Sequence, residues 1–341
     1  MRQVSRIMGP AATVAATLLF AGAALAQAVR INLGTLAPRG SSYHQSLQAM
    51  AEKWRLAPGG GVRLVVYPDG TQGSEADMVR LMRLGSLQAG LLTAVGLSEI
   101  EKGVSGLQSF PLVFRDFSEF DYVQGHLRPL MDQRLREKGF VVLFWADAGW
   151  VRYFFKEKTL TPEDMKRRKI FVWAGDTAQV DIMKGLGYNP VPLETADILT
   201  NLQTGLINAV PCPPIFAARL QFQTYASHML NLNWAILVGG LVIKQEVWDR
   251  IPSQTQAVLL EAARQAGHEI QVNGRKEGEE AVAALQKRGL TVDAVTPEIE
   301  AQWRNEMERI YPRIRGPIVP VDIYDEVQRL LKAYRSGGGK P

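Results

Sequence analysis

Arg152 is the residue whose neighbours most invite a chemical role. It sits in Gly149–Phe155 (GWVRYFF) among Trp150, Tyr153 and Phe154, and Phe171 and Trp173 follow in Lys169–Trp173. A guanidinium framed by aromatic rings can clamp an anion through paired hydrogen bonds or rest as a cation on a ring face. The same pattern describes an arginine paired with a structural carboxylate on an ordinary sheet, and residue types alone leave the two readings level.

The other reactive side chains point away from catalysis. His44, His126, His228 and His268 are far apart, and His268-Glu269 lacks the second histidine of a zinc-protease helix. Gly103-Val104-Ser105-Gly106 falls short of the Gly-x-Ser-x-Gly nucleophile elbow. Gly59-Gly60-Gly61 has no Gly-Lys-Ser/Thr after it, so a phosphate loop is unsupported. Cys212 is the single cysteine, flanked by prolines with no base at hand, and reads as a small buried hydrophobe. Glu279-Glu280 lies in a long helical stretch and reads as solvated. No metal constellation stands out, no cofactor is expected, and the chain is read as a non-enzyme.

These residues need a scaffold, and the totals bound it. At 341 residues the chain exceeds one compact core and calls for two domains. With 46% hydrophobic and 21% charged residues it has the composition of a globular protein. Its formal charge of +5 falls to about +3 without Arg2 and Arg6, too little to argue for nucleic acid. Those arginines precede an apolar run, Ala11–Leu25, that ends in Ala24-Leu25-Ala26. This is the layout of a secretory leader cleaved after Ala26, and the run is shorter than the roughly 20 residues of a membrane span. A lone cysteine permits no intrachain disulfide. Export without disulfides fits a bacterial periplasm.

The periodicity predicts strands at Val29–Gly34, Val62–Tyr67 and Ala89–Val95, alternating with helices at His44–Trp54 and Ser74–Arg83. That order gives a parallel sheet covered by helices, with ligands at the carboxyl ends of strands near Leu36–Ser42 and Thr93–Gly96. Thr93 and Tyr43 are therefore candidate contacts. A helix over Phe117–Lys138 precedes a central strand, Phe140–Trp145, and then the aromatic strand Gly149–Phe155. Thr161-Pro162-Glu163-Asp164 has the hydroxyl cap, first-turn proline and acids of a helix start. Further on come a helix at Thr177–Leu186, a strand at Pro190–Leu193, helices at Thr195–Leu206 and Ile215–Ala226, and a strand end within Ile207–Pro214. Asn231–Ile243 reads as a long strand broken by Gly239-Gly240. Ser253–Arg288 is one unusually long helix, with Val258, Ala262, Ala266 and Ile270 on a shared face. A strand at Leu290–Val295 and helices at Pro297–Tyr311 and Ile323–Tyr334 end the pattern, before a frayed tail at 336–341.

The order of short motifs resembles the solute-binding proteins of tripartite ATP-independent periplasmic (TRAP) transporters, the DctP-like family. The resemblance is carried by Leu33-Gly34-Thr35 with Pro38, Tyr67-Pro68-Asp69-Gly70 with Gly73-Ser74-Glu75, Gly85, Phe110-Pro111-Leu112-Val113-Phe114, and Gly149 with Arg152. It continues through Pro162-Glu163-Asp164-Met165-Lys166 with Lys169-Ile170, Gly185-Leu186-Gly187 with Pro190-Val191-Pro192, Leu202-Gln203-Thr204-Gly205, and Trp248 with Ile251-Pro252. It implies an α/β, two-lobe periplasmic binding protein fold with hinge strands and a long lobe-spanning helix. The expected division is lobe I at 27–149 plus 238–277 and lobe II at 150–237 plus 278–335.

By that resemblance, a small organic ligand is captured between the lobes and passed by a monomer to TRAP membrane permease subunits. A sensor that presents its closed form to a receptor is the alternative, and a periplasmic enzyme a more remote one. The resemblance also implies that a substrate-pairing arginine belongs at the position of Phe171, and a polar asparagine near that of Cys212. Arg152 matches a second arginine found in family pockets. The expected pocket is Trp150, Phe171, Trp173, Cys212 and Trp234, with Arg152 at one side. Its expected ligand is an organic acid or an apolar or aromatic compound, not a small dicarboxylate. Some relatives bind through a cation, and on that point the residues leave the matter open.

Overall fold

The computed structural model describes residues 29–338 except Gly60; the expected leader and its cleavage site lie outside the described residues, as does part of the tail. The first lobe starts with β1 (Val29–Thr35), α1 (Ser42–Arg55), β2 (Val62–Tyr67), α2 (Glu75–Leu84) and β3 (Ala89–Thr93), followed by α3 (Ala94–Ser98) and α4 (Phe117–Glu137). Capping explains the clean helix starts. Ser41 accepts from the His44 amide, and Ser74 and Asp77 form a reciprocal capping box. β1 pairs in parallel with both β2 and β3, as the alternating pattern predicts.

One strand then joins the lobes. β4 (Phe140–Phe155) fuses the two strands expected at Phe140–Trp145 and Gly149–Phe155. The apparent break at Ala146–Gly149 is a bulge: pairing shifts between Asp147 and Trp150, and Gly149 takes φ +76°. The second lobe follows as α5 (Pro162–Lys166), β5 (Lys169–Trp173), α6 (Thr177–Gly185), β6 (Asn189–Leu193), α7 (Ile198–Thr204), β7 (Ala209–Cys212), α8 (Pro214–Arg219) and β8 (His228–Leu230). Thr161 and Asp164 cap α5 reciprocally, with Pro162 in the first turn.

β9 (Ala235–Lys244) returns the chain to the first lobe. It starts four residues later than expected, because 231–234 link it to β8, and the Trp234 amide donates to Val151 O. After α9 (Gln245–Trp248), α10 (Ser253–Gln286) runs as one helix and packs on α1 in one lobe and α8 in the other. β10 (Thr291–Asp293), α11 (Pro297–Ile314) and α12 (Val321–Ala333) complete the fold.

The sheet order is β2-β1-β3-β9-β4-β7-β5-β6, with β8 and β10 attached to β4's far end. Residues 140–151 of β4 pair with β9, and 152–155 pair with β7 and β8. β4 is buried almost throughout, since both faces are covered. Phe154 enters the second-lobe core with Phe171 and Leu285, while Phe155 enters the opposite core with Ile170 and Trp303. One expected boundary is corrected. Residues 321–333, assigned to lobe II, pack on α4, and Ile323, Val327 and Leu330 join the first-lobe core with Phe120 and Leu127. Helical periodicity shows which face is apolar but not which lobe receives it.

Candidate functional site

The carboxyl ends of β1 and β3 from one lobe, and of β5 and β6 from the other, converge on the space between the lobes, as open α/β sheets require of a ligand site. A cleft of about 770 Å³ opens there, lined from the first lobe by Leu36, the start of α2 and α3, and from the second by Trp173–Ala178 and Glu194–Asp197. Behind it lies a chamber of about 110 Å³, lined almost wholly by apolar atoms. Tyr43, Thr93, Phe171, Trp173 and Cys212 all border this chamber, so five expected residues from distant stretches meet. Phe216, which sequence reasoning missed, reaches across from α8 to Tyr43 at 6.2 Å between ring centroids. Phe171 stands edge-on to Trp173 at 5.2 Å.

A third space of about 150 Å³ lies beside the cleft, bounded by Val151, Tyr153, Tyr188, Met307 and Trp234. Trp234 meets Tyr153 and Trp303 edge-on and borders this side chamber, not the rear one. Trp173 borders all three spaces.

Two expected contacts lie elsewhere. Trp150 is buried in the first-lobe core, 5.3 Å from the Phe117 ring. Arg152 is 8% exposed and lines none of the three spaces; its Nη2 lies 3.6 Å from Glu279 Oε1 on α10. Strand alternation is the reason. Val151 and Tyr153 face the side chamber, which turns Arg152 to the other face. Burial lowers the Arg152 pKa and Glu279 raises it. Among the described residues, the cleft is lined by one cationic side chain, Lys102, and by no arginine.

The cleft floor is held by Glu75, at the start of α2 and 6% exposed. The Thr93 amide donates to its Oε1 at 2.7 Å, while the Thr93 hydroxyl (2.5 Å) and the Gly96 amide (3.0 Å) donate to Oε2. Burial raises the pKa of Glu75, and these hydrogen bonds pull it back. A Cβ on Gly96 would lie 2.7 Å from the Glu75 Cβ, so only glycine allows this approach. Thr93's hydroxyl is therefore already engaged.

At the mouth, Asp176 has a raised pKa from burial and from Glu99 on the facing lobe, against a hydrogen bond from the Gln179 amide. Glu194 is raised by burial, then by Asp77 across the cleft and by Asp197. Burial pushes the Cys212 thiol far up, which makes it inert as a nucleophile. Among the described residues, no three metal-ligating side chains come together. The carboxylates were missed in the sequence, although Glu99, Asp176, Glu194 and Asp197 each follow closely on a strand's carboxyl end.

With this geometry in view, residues 33–315 match the family described as bacterial extracellular solute-binding protein, family 7. The C4-dicarboxylate-binding periplasmic protein DctP of Rhodobacter capsulatus is 22% identical over 271 residues, 77% of this chain and 79% of that one. A TRAP periplasmic solute-binding protein from Xanthobacter autotrophicus with bound β-D-galacturonate superposes with a TM-score of 0.79 at 19% identity, over 89% of this chain and 99% of its own. Another, from Ralstonia eutropha with bound (S)-2-acetolactate, gives a TM-score of 0.81 at 18% identity, over 89% and 98% of the two chains.

Proposed function

The chain belongs to bacterial extracellular solute-binding protein family 7, and on that premise we propose that it captures a small organic ligand with an apolar or aromatic body and delivers it to TRAP membrane permease subunits. The reading places the mature protein in the periplasm, as a monomer, after removal of the leader at Ala26. The ligand sits between the lobes, with its body in the rear chamber against Phe171, Trp173 and Phe216.

The observation that carries this reading is the apolar lining of that chamber where the family resemblance puts a guanidinium. Magnitudes make the exchange workable. A guanidinium–carboxylate hydrogen bond contributes about 1.5–3 kcal/mol. Burying one phenyl- or isobutyl-sized group contributes about the same, roughly 1.5–3 kcal/mol. A cavity of about 150 Å³ with apolar walls is known to admit benzene, so the chamber of about 110 Å³ suits a branched alkyl group or much of a small ring. The two solved relatives carry galacturonate and acetolactate, both organic acids. Among the described residues no arginine lines the cleft, so binding of such an acid here would have to proceed without one of those.

Thermal-shift measurements on the mature protein test the reading with succinate, D-galacturonate, a 2-oxo acid, an aromatic acid and a neutral aromatic compound. Small-angle scattering then reports whether the lobes close. The expected result is stabilisation by probes that fill the chamber, with a fall in radius of gyration. A response to succinate alone would refute the apolar-body reading.

A further inference from the structure

We propose that the side chamber is a second ligand subsite and that the ligand has two arms. One apolar arm enters the rear chamber; the other, bearing a hydroxyl or carbonyl oxygen, enters the side chamber and hydrogen-bonds the Tyr153 hydroxyl. This rests on the reading of the cleft as a ligand site and adds the ligand's shape and one recognised atom. The cleft and the side chamber share Gln108, Ser109, Trp173 and Asp176 among their lining residues, so the two spaces adjoin. The rear and side chambers share Trp173, Pro211 and Leu237. A ligand seated against Trp173 therefore has an apolar space on either side of it.

Tyr153 singles out the atom that would be read. It is 4% exposed and borders the side chamber, and its hydroxyl makes no hydrogen bond among the described residues. Its neighbours in the same core have theirs. Tyr188 donates to Glu306 Oε1 at 3.2 Å, Trp303 Nε1 to Leu160 O at 2.8 Å and Tyr311 to Pro111 O at 2.6 Å. A polar group this deep costs free energy unless it is paired, so an unpaired hydroxyl on a cavity wall suits a ligand atom. Burial raises the Tyr153 pKa, which keeps the phenol protonated and able to donate. Its ring is held in place, stacked on Phe155 at 5.7 Å and edge-on to Trp234 at 4.9 Å, so the hydroxyl is oriented before any ligand arrives.

The linings assign the arms. Met165, Met183, Met307 and Ile310 wall the side chamber, and thioether side chains adapt to the outline of a ring. Its volume of about 150 Å³ matches a cavity that admits benzene, whereas the rear chamber of about 110 Å³ suits a branched alkyl group. Gln108, Ser109 and Asp176 stand where cleft and side chamber adjoin, so the polar centre that joins the arms stays in the cleft.

Four acids with the same carboxylate test the arms in turn: 4-methylpentanoate, 2-benzyl-4-methylpentanoate, and the 4-hydroxybenzyl and 4-methylbenzyl analogues of the latter. In calorimetry at pH 7 on the mature protein, the benzyl arm should tighten binding about tenfold or more over 4-methylpentanoate. Tyr153→Phe keeps the ring and removes the hydroxyl. It should weaken the 4-hydroxybenzyl acid about tenfold and leave the 4-methylbenzyl acid within about twofold. Gln179 lines the side chamber alone among the three spaces and is half-buried on α6, so Gln179→Trp fills that chamber without disturbing a core. This variant should abolish the advantage of the benzyl arm and leave 4-methylpentanoate within about twofold. A benzyl arm that adds no affinity overturns the proposal, as does a Tyr153→Phe effect equal for the two ring analogues, or a benzyl advantage that survives Gln179→Trp. Scattering separates the two readings. If 4-methylpentanoate closes the lobes and the benzyl arm adds nothing, the cleft stands and only the second subsite falls; if no acid closes them, both fall.

Discussion

Two arginines bridge β4 and α10 within one helical turn, and they do so in opposite ways. Arg275, on the helix, donates to Asp147 on β4 (Nη2–Oδ2 2.7 Å) and to Asp121 on α4 (Nη1–Oδ2 2.8 Å), while its guanidinium lies 4.2 Å from the Phe117 ring centre. Asp147 is 2% exposed and also accepts from Gln271 and from the Gly149 amide. Arg152, on the strand, reaches Glu279, four residues further along the helix, at 3.6 Å. Glu279's side chain is 72% exposed, and Arg152 Nε is buried without a hydrogen-bond partner. Burial opposes the charge of Arg275, but Asp121 and Asp147 more than offset it and its pKa is raised; for Arg152 burial prevails. The firm rung therefore lies on the first-lobe side of Gly149, and the weak one on the second-lobe side. A buried cation is held by the number and depth of its acceptors, not by the mere presence of an acid.

Removing the firm rung should have the largest effect. Arg275→Ala leaves Asp147 buried without a cation, a class of change that costs about 3–5 kcal/mol. Urea unfolding at neutral pH should show that loss, and a change under about 1 kcal/mol would erase the distinction between the rungs. The pivot between them comes next. Gly149 takes φ +76°, and an added Cβ would sit 3.4 Å from Gly274 O on α10, so Gly149→Ala is opposed by backbone strain more than by a clash. A left-handed conformation at a residue with a Cβ costs about 1–2 kcal/mol. The same urea measurement should place this variant between Arg275→Ala and the wild type.

The same two rungs show what a sequence can disclose. Alternation in Val29–Gly34 and Val62–Tyr67, the caps at Ser74 and Thr161, and the span of α10 are local signals, and the elements stand where those signals place them. Ala146–Gly149 misled because small residues before a glycine look like a strand end, whereas pairing with β9 carries the strand through a bulge. Arg152 misled because its partner is 127 positions away and on the face opposite to Tyr153. Phe171, Trp173, Cys212, Thr93 and Tyr43 were accessible because strand ends and family motifs mark a common edge. The acidic mouth was accessible by the same rule. Adding up charge on the segments after β3, β5 and β6 would have found Glu99, Asp176, Glu194 and Asp197.

The weak rung should yield the smallest effect and the sharpest contrast. Glu279 is largely solvated, and exposed ion pairs contribute about 0–1 kcal/mol. Arg152→Met keeps much of the side chain's volume beside Cys212 while removing an under-hydrogen-bonded buried charge, an exchange that is often neutral or stabilising. Stability should therefore stay within about 1 kcal/mol of wild type or rise, and Glu279→Gln should change it by less than about 0.5 kcal/mol. A double-mutant cycle through these two variants gives the coupling directly, to be compared with the cycle through Arg275→Ala and Asp147→Asn. Equal couplings in the two cycles would mean that Arg152 has a firmer partner than Glu279. They would also reopen the reading in which its guanidinium is held for the ligand.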